Sequence, residues 1–109
     1  MTTLYGLKTC DTCRKAMKAF ADGGVEVVFR DVRADPLDEA TLARFLGAFG
    51  ARLLNTRSTT WRGLSEAERA RDPAALLAGH PALMKRPVID GPGGLTIGWD
   101  DNAKAAHLG

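Results

Sequence analysis

Cysteine is scarce: the 109 residues hold two, and both lie in the run Cys10-Asp11-Thr12-Cys13. That count excludes a disulfide-stapled scaffold, and a zinc ribbon would need a second ligand pair. The two histidines, His80 and His107, stand apart and supply no such pair, so no metal site is expected. Long apolar runs are also missing, which excludes a membrane-spanning helix. The opening Met1-Thr2-Thr3-Leu4-Tyr5 lacks a charged start followed by an apolar stretch. No signal peptide is therefore expected, and a cytoplasmic location follows, where thiols are kept reduced. Neither charge sign dominates: 15 Lys and Arg face 13 Asp and Glu, a formal charge of +2. A direct nucleic-acid binder shows a concentrated basic face, and none is visible. Repeats, low-complexity tracts and linkers are absent as well. What is abundant is apolar content, 45% of the chain, enough for a packed interior at this length.

The pattern of elements begins with Thr2 to Gly6, a short β-favouring stretch read as a strand. Cys13, Met17 and Phe20 then recur at helical spacing, and Gly23-Gly24 stops that helix. Val25 to Phe29 is β-branched and reads as a second strand. Strand, helix, strand implies parallel strands joined by a right-handed crossover. The next helix has Asp38 as its cap, Leu37 and Leu42 as a staple across it, and Leu42, Phe45, Leu46 and Phe49 as its buried face. Gly50 closes it. The polar run Asn55 to Arg62 has no clean period and reads as loop or irregular turn. Ser65 with Glu68 has the spacing of a capping box, and Asp72-Pro73 sets up another helix ending at Gly79. Arg86-Pro87-Val88-Ile89 reads as a strand, Asp90 to Gly94 as a turn, and Leu95-Thr96-Ile97 as the returning strand. Asp100 or Asp101 caps a final helix. The fold class expected is α/β: a βαβ unit, a helical insertion at about 37–80 and a ββα unit. That is the order of the thioredoxin-like fold, one domain over 1–109 with a mixed four-stranded sheet.

Cys10 falls where the first strand gives way to the first helix. Unpaired N–H groups and the positive end of the helix dipole favour thiolate there. Lys8, Arg14 and Lys15 are near in sequence and add to that field. A thiolate attacks disulfides, oxyanion centres and electrophiles, so Cys10 is the candidate catalytic nucleophile. Cys13 admits two compatible readings: a resolving thiol for Cys10, or a small hydrophobe on the stripe with Met17 and Phe20. Arg57 in its polar run and Arg86 before Pro87 are candidate anion-binding residues, as is Lys8. Pro87 is the candidate cis-proline. Trp61 is read as packing against the core, His80 as part of a helix end, His107 as solvated, and Asp11 as a cap of the first helix. A monomer is expected.

Several blocks resemble one family. They are Leu4-Tyr5-Gly6-Leu7-Lys8-Thr9-Cys10-Asp11-Thr12-Cys13-Arg14-Lys15-Ala16, Leu54-Asn55-Thr56-Arg57-Ser58-Thr59-Thr60-Trp61-Arg62, His80-Pro81, Lys85-Arg86-Pro87-Val88 and Ile97-Gly98-Trp99. In this order they are similar to the arsenate reductase-related family, which includes YffB-type and Spx-type proteins, and the resemblance is closest to the YffB type. It implies an oxidoreductase with no bound cofactor. Cys10 is its nucleophile, glutathione its co-substrate and glutaredoxin a partner. Arg57 and Arg86 then hold a carboxylate or oxyanion, and Pro87 matches the family's cis-proline. The family's reductases carry a histidine at the place of Gly6 and a third arginine at the place of Gly98. With both replaced, the resemblance implies glutathione-dependent thiol/disulfide chemistry more than arsenate reduction. Spx-type relatives imply an alternative: a Cys10–Cys13 disulfide that switches binding to RNA polymerase. A family member without arsenate reductase activity is a third reading.

Overall fold

The strand Thr2–Gly6 (β1) is buried along nearly its whole length and is paired along both edges. The structure is a computed structural model and describes residues 1–108. Four strands form one sheet in the order β2-β1-β3-β4. Val27–Asp31 (β2) runs parallel to β1, with Phe29 opposite Leu4. Val88–Gly91 (β3) runs antiparallel on the other edge of β1, with Ile89 opposite Leu4. Gly94–Ile97 (β4) pairs antiparallel with β3, Ile97 opposite Val88. The fold is thioredoxin-like, as the element order predicts.

Two compact units make up the chain: Met1–Val32 joined by the segment from Arg86 onward, and Arg33–Lys85. In the first, the helix Asp11–Asp22 (α1) crosses from β1 to β2 and buries Cys13, Ala16 and Phe20. Those side chains meet Leu4 of β1 and Ile89 of β3 in one apolar cluster, with Met17 packed at its margin. Ala16 thus joins the stripe read from sequence. Asp101–Leu108 closes the unit, its N-terminus capped by Asp100, whose Oδ1 accepts the Ala103 N–H at 2.9 Å. Strand β2 starts two residues later than Val25 because α1 ends in a Schellman arrangement. Gly24 sits at φ +70°, the Gly24 N–H bonds to the Ala21 carbonyl, and the Val25 N–H bonds to the Phe20 carbonyl at 2.9 Å. Val25 is thereby committed to the helix end and does not join the ladder.

The second unit is helical. Glu39–Phe49 (α2) starts where Asp38 Oδ1 accepts the Thr41 N–H at 2.7 Å, and buries Leu42 and Phe45. A 3-10 turn, Gly50–Leu53, follows. The run read as irregular from Asn55 to Arg62 contains a short helix, Thr59–Arg62 (α3). Ser58 makes it: its Oγ donates to the Asn55 carbonyl at 2.7 Å and accepts the Trp61 N–H at 3.1 Å. A helix this short has no room for an apolar repeat, which is why periodicity misses it. Glu66–Arg69 (α4) carries the complete Ser65/Glu68 capping box. Pro73–Gly79 (α5) has Pro at its start and buries Leu76 and Leu77, and a 3-10 turn, Pro81–Leu83, follows. A Leu54–Met84 bridge ties the middle of the unit to its last residues, with N–H bonds from Asn55 to the Leu83 carbonyl and from Lys85 to the Leu53 carbonyl, both 2.7 Å. No helix among the described residues is long and apolar enough to cross a membrane.

Candidate active site

Strand β1 delivers the chain to Leu7, and a tight turn follows in which the Cys10 N–H bonds to the Leu7 carbonyl at 3.1 Å. The turn is pinned from the side by Asp31, whose Oδ2 accepts the Lys8 N–H at 3.3 Å. Cys10 then takes extended geometry (φ −84°, ψ 119°) as the residue that caps α1, while its carbonyl accepts the Arg14 N–H at 3.0 Å. The expectation that Asp11 caps the helix is corrected here. Asp11 is the first helical residue, 3.4 Å from the Arg14 guanidinium.

Cys10 and Cys13 are both free thiols, Cys10 half-buried and Cys13 fully buried. One helical turn apart, they share a local field but hold their protons very differently. Burial by itself pushes the Cys10 thiol up. The Cys13 backbone N–H, the Cys13 side chain and the Arg86 guanidinium outweigh it, and together they hold Cys10 below the ordinary thiol value. For Cys13, burial dominates: with the Cys10 sulfur beside it, its thiol is pushed up to about 12. At neutral pH Cys13 is therefore a neutral S–H that donates toward Cys10.

Arg86 is the cation this geometry sets against Cys10. It enters from the start of β3, through an Arg86–Pro87 bond that is cis. Pro87 is fully buried, and its carbonyl accepts the Gly98 N–H at 2.8 Å. Arg14, expected to add to the thiolate's field, is turned elsewhere: its Nε donates to the Lys8 carbonyl at 2.9 Å. Lys8 is exposed and lines a recess of about 400 Å³ with Leu7, Arg14, Met17 and Phe29.

Arg57 belongs to the other unit. It is exposed on an Asx turn, its N–H donating to Asn55 Oδ1 at 3.2 Å. With Arg52, Lys85, Asn55 and Thr56 it lines a recess of about 560 Å³. Sequence reading missed Arg52 and Lys85. Lys85 stands next to Arg86 in a stretch that resembles the family, whereas nothing in the pattern singles out Arg52. Among the described residues no group of three or more His, Cys, Asp or Glu is placed to hold a metal ion.

Trp61 and His107 differ from what the sequence predicts, and His80 does not. Trp61, expected to pack against the core, is half-exposed, with the Arg69 guanidinium 5.5 Å from its ring centre over one face. His107 is not solvated: its Nε2 is 2.9 Å from Thr96 Oγ1, it meets Phe20 edge-on at 6.4 Å, and its Nδ1 is buried without a hydrogen-bond partner. His80 stands at the end of α5 as expected, 3.9 Å from Glu68.

A thioredoxin-like sheet with a depressed thiol at the start of its first helix and a cis-proline before its third strand defines a class of cysteine-centred proteins. The profile of the ArsC family matches residues 5–106, and the chain belongs to that family. A solved structure named YffB is 34% identical, covers all of both chains and superposes with a TM-score of 0.89. An arsenate reductase-related protein from Brucella melitensis is 38% identical over 95% of this chain and 90% of its own, with a TM-score of 0.73. An uncharacterized protein of Haemophilus influenzae is 42% identical over 93% of each chain. The global transcriptional regulator Spx of Bacillus subtilis is 29% identical over 94% of this chain and 82% of its own.

Proposed function

We propose that the protein is a glutathione-dependent thiol/disulfide reductase of the cytoplasm with Cys10 as nucleophile. The observation that carries this is the depressed Cys10 thiol, held between the start of α1, the Cys13 thiol and Arg86. The likeness to an arsenate reductase-related protein supports the reaction class. In the first step the Cys10 thiolate attacks one sulfur of a glutathione mixed disulfide. A Cys10–glutathione disulfide forms and the substrate leaves as thiolate, which takes up a proton from water. In the second, the thiolate of a free glutathione attacks the glutathione sulfur, regenerating the Cys10 thiolate and releasing oxidised glutathione. In sum one free glutathione thiol is consumed, the substrate thiol is released, and the glutathionyl group of the mixed disulfide leaves as half of oxidised glutathione. Arg86 stabilises the thiolate as reactant and as leaving group. Arg57, in the cationic recess of its own unit, is proposed to hold a carboxylate or oxyanion, and glutaredoxin is a proposed partner.

The test is reduction of a glutathionylated peptide coupled to glutathione reductase, with arsenate assayed beside it. Wild type turns the peptide over, Cys10→Ser does not, and Arg57→Ala raises KM for glutathione by about tenfold, the scale of one charge-assisted hydrogen bond. Equal rates for wild type and Cys10→Ser would end the proposal.

A second reading has its own observation, the likeness to Spx over most of both chains. In it, Cys10 and Cys13 form a disulfide that alters a surface bound by RNA polymerase. Cys13→Ala that keeps the wild-type redox dependence of polymerase binding would exclude it.

A further inference from the structure

Gly6 is the last residue of β1 and is buried. A Cβ added to it would collide with Cys13 Sγ, and would also stand 3.3 Å from Leu4 Cδ2 and 3.4 Å from Cys13 Cβ. The Sγ end of Cys13 therefore occupies the place where any side chain of residue 6 would begin. Cys13 cannot give way freely, because it is packed among Leu4, Ala16, Phe20 and Ile89 with no exposed surface. It is also the residue that presents two donors to the reacting sulfur, its backbone N–H and its S–H.

We propose that Gly6 is a positioning residue of the reactive thiol: by presenting no side chain, it lets Cys13 seat against β1 at the depth where its N–H and S–H both face Cys10 Sγ. This rests on reading Cys10 as the reacting group. Gly6 touches no substrate and acts only through Cys13. A methyl group at position 6 displaces Cys13 Sγ, turns or retracts the S–H, and weakens the hydrogen bonds that favour the Cys10 thiolate. Positions 6 and 13 then form one unit, in which a side chain at the first excludes the present seat of the second.

The experiment is a double-mutant cycle read on the Cys10 thiol pKa. It is measured as the pH dependence of iodoacetamide alkylation, with the modified peptide assigned by mass spectrometry. Wild type, Gly6→Ala, Cys13→Ala and Gly6→Ala/Cys13→Ala are compared. Gly6→Ala is expected to raise the Cys10 pKa by on the order of one pH unit, the scale of one hydrogen bond to a charged sulfur. Cys13→Ala raises it comparably, and the double variant matches Cys13→Ala alone, because with Sγ gone the added methyl has nothing to displace. A Gly6→Ala pKa at the wild-type value, or a double variant with the two shifts summed, overturns the proposal. If Gly6→Ala does not fold, the double variant, whose methyl fills the space left by Sγ, still decides. A pKa above that of Cys13→Ala shows Gly6 acting by another route and overturns the proposal, and equality supports it. The readout requires no turnover, so loss of the reductase reading leaves its own signature, a depressed thiol that reduces no disulfide.

Discussion

Two cysteines one turn apart on the same helix hold protons of very different strength because one is half-buried among donors and the other is sealed in an apolar cluster. The cation in that contrast is Arg86. Replacing it by Gln removes its charge from beside Cys10 and raises the Cys10 pKa toward the ordinary thiol value, while the α1 start and the Cys13 donors remain. Iodoacetamide alkylation measured from pH 5 to 9 checks this. The wild-type rate is expected to hold up further into acid than that of a free thiol, and the Arg86→Gln profile to shift to higher pH. The place of Cys10 was legible in the sequence because a strand, a Cys-x-x-Cys and a helix start are all local features. Its cation was not. Arg14 and Lys8 are its neighbours in sequence, but Arg14 is spent on the Lys8 carbonyl, and Arg86 arrives only through the pairing of β3 with β1.

At the level of elements, the caps carry most of what local sequence can encode. Asp38 illustrates it: one carboxylate oxygen accepts the Thr41 N–H and fixes where α2 begins. Asp38→Ala is expected to destabilise the protein by about 1 kcal/mol in urea unfolding, and Asp38→Asn by much less, since Asn caps nearly as well. The Ser65/Glu68 box and the Pro73 start were legible for the same reason, each being a pattern within four residues. Two elements were not. The start of β2 depends on Val25 satisfying the Phe20 carbonyl, a competition between helix end and sheet that β-propensity ignores. Helix α3 depends on a serine bonding both backward and forward, in a stretch with no hydrophobic period to announce it. Trp61 adds a third difference, since its partner Arg69 sits on the following helix and covers its face from outside.

For the molecule as a whole, the half-buried His107 ties stability to pH. Burial lowers its pKa from the ordinary 6.5, against a smaller upward pull from Asp90. The unfolded chain thus binds the proton more tightly than the folded one. The stability His107 contributes is complete above about pH 6.5 and is lost as pH falls through its lower folded value. Urea midpoints measured from pH 5 to 7.5 should rise with pH in wild type and rise less in His107→Gln, the difference between the two curves isolating this one group. The unit that holds His107 and Cys10 is written in two stretches of sequence, with Arg33–Lys85 between them. On the ribosome, then, β1 and Cys10 emerge early, whereas β3 and Arg86 follow only after the whole intervening stretch has been made. A nascent chain stalled before Arg86 carries a cysteine with an incomplete sheet behind it and no guanidinium beside it. Its thiol lacks the charge of Arg86, and the full field at Cys10 is complete only once the segment that carries β3 has been made.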